Sequence, residues 1–246
     1  MGNFVKWLGA GLGFSVGGPI GSILGYVVGS FIDGFTKEDV ERAKAYGSVD
    51  GHMQSGDFEI SLLLLSATVI KADGKIDQRE LVYVRNHFKN MYGAERASHA
   101  FKLFNGFIKN NNISTRQVCV QIRQNLTHAS RLQLLHFLFG IAKADGIVTE
   151  NEVYAIKTIA GYLYINQYDF ESIKAMFYDT TDSSYKILEI DKSAADNEVK
   201  KAYRKMVKKY HPDKLRHLGE EHIKGAEEKF RQVQKAYEHI QKERGM

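Results

Sequence analysis

Proline restricts this chain more sharply than any other residue, because only two occur in 246 positions and the second, Pro212, follows a long helical pattern. Its ring fixes φ and its nitrogen carries no proton, so a helix running into it must end at about His211. Ahead of the break Val199, Ala202, Tyr203, Met206, Val207 and Tyr210 fall on one arc at about 100° per residue. Lys200, Lys201, Arg204, Lys205, Lys208 and Lys209 fill the opposite arc. Ser193 with Asp196 three residues later reads as a capping box opening this helix, with Asp196 itself the alternative cap. After the break Ala226, Phe230, Val233, Tyr237 and Ile240 resume the spacing. The expectation is an antiparallel helical hairpin with His211, Pro212 and Asp213 at its tip.

These residues resemble the J domain of the DnaJ (heat-shock-40) co-chaperones. The matching text is Ser184-Tyr185-Lys186-Ile187-Leu188 for a short first helix and Glu198-Val199-Lys200-Lys201-Ala202-Tyr203-Arg204-Lys205 for the second. His211-Pro212-Asp213-Lys214 matches the loop, and Lys229-Phe230 through Ala236-Tyr237-Glu238 the third helix. The resemblance implies a three-helix J domain at 182–246 whose partner is a DnaK-type chaperone. His211, Pro212 and Asp213 would trigger that partner's ATP hydrolysis, and Lys200, Lys201, Arg204, Lys205, Lys208 and Lys209 would dock on an acidic surface of it. Like-signed charge on a helix gives steering and register more than affinity, and a fixed carboxylate at Asp213 suits bidentate pairing with a partner arginine. The plainer reading makes the lysines a solvated face and His211 a cation favoured by the helix dipole. No Gly/Phe-rich segment follows the third helix, and Cys119 is the only cysteine, so the substrate-binding parts of full DnaJ proteins are missing.

That single cysteine makes neither an internal disulfide nor a thiolate zinc site, which is compatible with a reducing compartment. The net charge of +5 is unevenly placed: residues 182–246 hold 16 Lys and Arg against 12 Asp and Glu. No Gly-rich phosphate loop, Cys/His pair or serine elbow is visible, so neither an enzyme nor a cofactor is expected. Nucleic-acid binding is disfavoured too, because the basic face lacks stacking aromatics.

At the other end, residues 7–32 carry no charge over 26 positions, enough to cross a bilayer core of about 30 Å, which needs roughly 20. Gly9, Gly13, Gly17, Gly21, Gly25 and Gly29 recur every fourth residue, giving a bare stripe on which another helix can pack closely. In water so many glycines cost about 1 kcal/mol each against alanine. A membrane helix over 1–34 is the expectation, with Trp7 and Tyr26 near the interfaces and Pro19 permitting a kink. A cleaved signal peptide, a flexible glycine-rich tail and a surface hairpin turned at Gly17-Gly18-Pro19 are the alternatives. Lys37, Arg42 and Lys44 follow the segment while Lys6 alone precedes it, so the positive-inside bias puts the bulk of the chain in the cytoplasm.

Residues 35–56 read as a linker. The region 57–179 contains a duplication: Lys71-Ala72-Asp73-Gly74-Lys75-Ile76-Asp77-Gln78-Arg79-Glu80 returns as Lys143-Ala144-Asp145-Gly146-Ile147-Val148-Thr149-Glu150-Asn151-Glu152. Each copy lies between two helical patterns, so an all-α pseudo-duplicate is expected. Asp73, Gly74, Ile76 and Glu80 match positions five, six, eight and twelve of an EF-hand loop, as do Asp145, Gly146, Val148 and Glu152. Positions one and three are Val69 and Lys71, then Ile141 and Lys143, which cannot ligate calcium through carboxylates. The competing account, which we favour, is a turn permitted by glycine, with Asp77 or Thr149 capping the next helix and Glu80 or Glu152 at its N3 position. His87, His99, His128 and His136 show no paired ligand spacing and read as surface or core residues.

The duplicated Lys-Ala-Asp-Gly pattern resembles the tellurite-resistance TerB-like helical domain. That resemblance implies membrane stress and weak metal binding, with Asp73, Asp77, Glu80, Asp145 and Glu152 the matching candidates. The order glycine-rich segment, TerB-like domain, C-terminal J domain is similar to that of the DjlA-like branch, the membrane-anchored DnaJ-family proteins of bacteria. This implies the bacterial inner membrane and a homodimer through the glycine-rich helix. Two functions follow as expectations. One is a membrane-anchored co-chaperone stimulating a DnaK-type ATPase, with the TerB-like domain choosing clients or sensing envelope stress. The other is a membrane scaffold or metal-responsive stress protein acting through the TerB-like domain.

Overall fold

The computed structural model describes residues 55–109, 114–178, 182–218 and 220–246. The membrane segment, its glycine stripe and the linker expected over 1–56 therefore lie outside the described residues, apart from its last two positions. Among the described residues every regular element is helical, and no helix is long and apolar enough to cross a membrane. The fold is all-α. The chain divides into two compact units, Met1–Leu126 and Thr127–Met246, so the division falls inside the region 57–179 that carries the duplication.

In the first unit α1 (Ser55–Ile70), α2 (Gln78–Tyr92), α3 (Ala94–Lys109) and α4 (Thr115–Asn125) form a bundle in which α1 packs on α3 and α4, and α2 on α3. The run from Leu62 to Leu65 is buried on every side, so α1 is the central rod. Phe88 of α2 and Phe104 and Phe107 of α3 are sequestered with it, each contributing about 2–3 kcal/mol. Cys119 is buried in α4, and burial alone pushes its thiol pKa up to about 12, leaving it without thiolate reactivity.

The second unit holds α5 (His128–Ala142), α6 (Glu150–Tyr162), α7 (Gln167–Ala175), the short α8 (Ser183–Ile187), α9 (Asp196–Tyr210), a 3-10 segment Pro212–Leu218, and the long α10 (Glu220–Arg244). α5 is its rod, buried continuously from Leu132 to Ala142 and packed on α6 and α7. α9 and α10 form the expected hairpin: Val199, Ala202, Met206 and Tyr210 bury against Ala226, Val233, Ala236 and Ile240, and Tyr203 stacks on Tyr237 at 4.1 Å. Pro212 ends α9 after Tyr210, with His211 extended at φ −61°, ψ 130°, as the steric restriction on a residue before proline requires. At the open end Arg244 hydrogen-bonds the Tyr185 hydroxyl, the Ala194 and Lys192 carbonyls and the Asp196 carboxylate.

One expected cap is corrected. The N-cap of α9 is Ala195, not Ser193 or Asp196: the Glu198 carboxylate accepts from the Ala195 N–H at 2.8 Å. Ser193 instead donates to Asp191, and Asp196 pairs with Arg244 at 3.2 Å. A serine or aspartate reaches back to the N2 or N3 amide only from the N-cap itself, and here alanine holds that place, leaving the reciprocal glutamate to do the capping.

Candidate functional site

Three local constraints hold the tip of the hairpin. The proline ring sets the turn, the Lys214 N–H donates to the His211 carbonyl at 3.1 Å, and the Asp213 N–H donates to His211 Nδ1 at 3.3 Å. His211 meets the Phe230 ring edge-on at 5.8 Å, so α10 fixes the direction of the imidazole. Behind the turn Tyr210 is buried and Leu215 closes the core. His211 and Asp213 nonetheless keep 47% and 53% of their side chains exposed, with 3.7 Å between Nδ1 and Oδ2. The tip is rigid in backbone and open to a partner.

The six basic residues of α9 are not equivalent. Lys200, Lys201, Arg204 and Lys208 are exposed. Lys205 is 67% exposed and reaches Glu189 at 2.9 Å, whereas Lys209 is only 16% exposed and is held between Asp169 and Glu189. The Glu189 side chain is 5% exposed, and its backbone sits at φ +58°. That left-handed conformation is uncommon for a residue with a Cβ, and here it delivers the carboxylate to both lysines.

Asp169 is the hub on the other side. Asn166 caps α7 by accepting from the Asp169 N–H at 2.9 Å, which orients the aspartate toward α5 and α9. Its carboxylate accepts from Asn166 Nδ2 at 3.2 Å, from Lys209, and from His128 Nε2 at 2.8 Å. Burial favours protonating it, but the hydrogen bonds from His128 and Lys209 outweigh that and hold its pKa down at about 2.

Lys229, on α10, is the most deeply placed basic residue of this region, 2% exposed. It donates to Gln133 Oε1 at 2.9 Å and stands 4.9 Å over the Tyr210 ring. Burial, with repulsion from Lys209 second, pulls its pKa down to about 7.

The carboxylates singled out in the duplicated turns serve the backbone. In the first copy Asp77 accepts from the Arg79 N–H at 2.7 Å and Glu80 from the Asp77 N–H at 3.3 Å. Thr149 and Glu152 make the equivalent capping box, the Thr149 N–H donating to Glu152 at 2.7 Å. Asp73 and Asp145 each accept at 2.9 Å from the amide two residues on. Gly74 and Gly146 take φ +79° and +98°, where a side chain would strain the turn. Among the described residues no group of three or more His, Cys, Asp or Glu is placed to hold a metal ion.

Sequence reasoning left His128, Asp169, Glu189 and Lys229 out of the site. His128 and Asp169 are 41 residues apart and share no periodic signal. Lys229 did carry one: it lies three residues after Ala226 and four before Val233, in the apolar register of α10.

Three family models match the chain in sequence: the co-chaperone DjlA transmembrane domain at residues 1–49, tellurite resistance protein TerB at 59–175, and the DnaJ domain at 183–245. The chain is DjlA-like. It is 28% identical to the co-chaperone protein DjlA of Photobacterium profundum and 28% identical to that of Coxiella burnetii, in each case over 98% of both chains. The chaperone protein DnaJ of Fusobacterium nucleatum is 52% identical over 54 residues, 22% of this chain and 14% of the DnaJ protein. The likeness to DnaJ proper is thus confined to the J domain, and the DjlA-like arrangement accounts for the rest. No solved structure matches the chain.

Proposed function

We propose that this DjlA-like chain, a membrane-anchored co-chaperone of the DnaJ type, stimulates ATP hydrolysis by a DnaK-type chaperone. His211, Pro212 and Asp213 act on the docked partner, and the exposed cations Lys200, Lys201, Arg204, Lys205 and Lys208 bring it into register. The observation that carries this reading is the tip itself: two half-exposed polar side chains on a backbone fixed by proline, two amide hydrogen bonds and Phe230. A group presented in one orientation loses little freedom on binding. Hydrolysis remains the partner's chemistry. Lys209, held by Asp169 and Glu189, sets the position of the helix and adds less to docking than the other five. The uncharged 7–32 segment anchors the chain with its bulk in the cytoplasm, where the chaperone and ATP are, and its glycine stripe supports a homodimer.

Steady-state ATP turnover by a DnaK-type chaperone, with the full chain in detergent, tests this. Stimulation should vanish in His211→Gln and weaken as salt rises through the screening range. Equal stimulation by wild type and His211→Gln would overturn the proposal.

A further inference from the structure

A groove of about 690 Å³ runs along the side of α9 that faces α7. Lys205, Lys208, Lys209 and Lys214 line it from α9 and the 3-10 segment, His128, Asn166, Tyr168 and Asp169 line it from the TerB-like part, and Glu189 completes the lining. The volume is that of a ligand site, but the charge is lopsided. Asp169 and Glu189 are 3% and 5% exposed and both engage Lys209, so the groups facing solvent are cations. From α7 the same groove is lined by Tyr168, 74% exposed on the first turn, an amphipathic ring of the type enriched where partners bind. The groove shares Lys205 and Lys208 with the docking face of α9 and is continuous with it.

We propose that this groove receives an acidic segment of the docked chaperone, so that Tyr168, outside the J domain, helps to select the partner. The inference rests on the proposed co-chaperone function but adds a second wall to it. One fully exposed cationic helix face attracts any anionic surface, whereas a two-walled groove accepts only a segment that fits between its walls.

The test sets Tyr168→Glu beside Tyr154→Glu in the full chain. Tyr154 is equally exposed at 74% and does not line the groove, so it controls for an added negative charge. An acid at the second position of α7 suits the helix dipole, so folding is preserved. Binding to ATP-loaded DnaK-type chaperone and stimulation of its ATPase are read in parallel. Tyr168→Glu should raise both the Kd and the half-maximal concentration about fivefold with the maximal rate kept, while Tyr154→Glu behaves as wild type. Tyr168→Lys should tighten binding. Equal behaviour of the two glutamate variants would overturn the groove and leave the His-Pro-Asp trigger standing. Weakened binding by Tyr168→Glu with no stimulation by wild type would keep the groove and overturn the trigger. A wild-type chain that neither binds nor stimulates overturns both.

Discussion

Among the described residues, the duplicated helix-to-helix turns and the turn at the hairpin tip use their polar side chains in opposite ways. In the duplicated turns at Lys71–Glu80 and Lys143–Glu152, carboxylates and hydroxyls close back on the backbone, and Glu80 and Glu152 are each only 5% exposed. In the turn at 211–213 the backbone is fixed mainly by proline and the Lys214 N–H to His211 carbonyl bond; His211 Nδ1 accepts from the Asp213 N–H, yet both side chains are left about half exposed. Similar sequence elements, an acid and a turn former between two amphipathic helices, therefore serve folding in one place and presentation in the other. A motif's chemistry becomes available to a partner when a proline ring and a backbone hydrogen bond carry most of its turn, so that its polar side chains stay half exposed even where one of them also accepts from the turn's own amide.

The sharpest way to break this contrast is at the tip. Because neither His211 nor Asp213 is buried, His211→Gln and Asp213→Asn should lower stimulation of a DnaK-type ATPase by at least about tenfold while shifting stability by under about 0.5 kcal/mol. Activity and thermal unfolding measured on the same preparations check this. A tip variant that unfolds would mean that the side chains do hold the turn.

Beneath the tip the contrast can be sharpened through Lys229. Its pKa of about 7 lies below the ordinary lysine value of 10.5, so between those values the unfolded chain binds more protons than the folded one. Stability should therefore rise with pH across that window and be lowest below pH 7. Gln133, the Tyr210 ring and Lys209 are the groups facing the ammonium. Lys229→Met should flatten the slope and recover about 4 kcal/mol near pH 7, read as denaturant unfolding at a series of pH values. A slope that survives the substitution would place the titration elsewhere.

Asp169 gives a smaller effect: stability again rises with pH, but here the group stabilises the fold where Lys229 destabilises it. Its depressed pKa supplies stability that is fully present above about pH 4 and is lost as pH falls through about 2. Asp169→Asn leaves Lys209 to Glu189 alone and should cost about 2 kcal/mol at neutral pH while removing that acid dependence. Stimulation should change less than in His211→Gln, since the helix keeps its exposed cations.

How much of this was legible follows from the range of each signal. Local rules found the hairpin, its break at Pro212, both capping boxes and the turns at Gly74 and Gly146, because each is settled within a few residues of sequence. The buried links of α9 to α7 and of α10 to α5 were invisible: Lys209 to Asp169 spans 40 residues, and Lys229 to Gln133 spans 96. That is why Lys209 read like the other lysines on its face. Ser193 was misread for a related reason, since a cap is decided by which residue takes the extended conformation before the first turn, and Ala195 does so with φ −69°, ψ 158°.

The smallest effects belong to the duplicated turns and test the folding half of the contrast. Removing the N3 carboxylate in Glu80→Ala or Glu152→Ala takes a hydrogen bond from the amide of Asp77 or Thr149 and should cost about 1 kcal/mol. Gly74→Ala and Gly146→Ala should cost a similar amount, because nothing lies within 4 Å of the added Cβ and the penalty is the positive φ alone. Hydrogen exchange at the Asp77 and Thr149 amides should accelerate in the glutamate variants, and ATPase stimulation should stay at the wild-type level in all four. Loss of stimulation without loss of stability in any of them would mean that these turns, too, are presented to a partner, and the distinction between the two kinds of turn would fall.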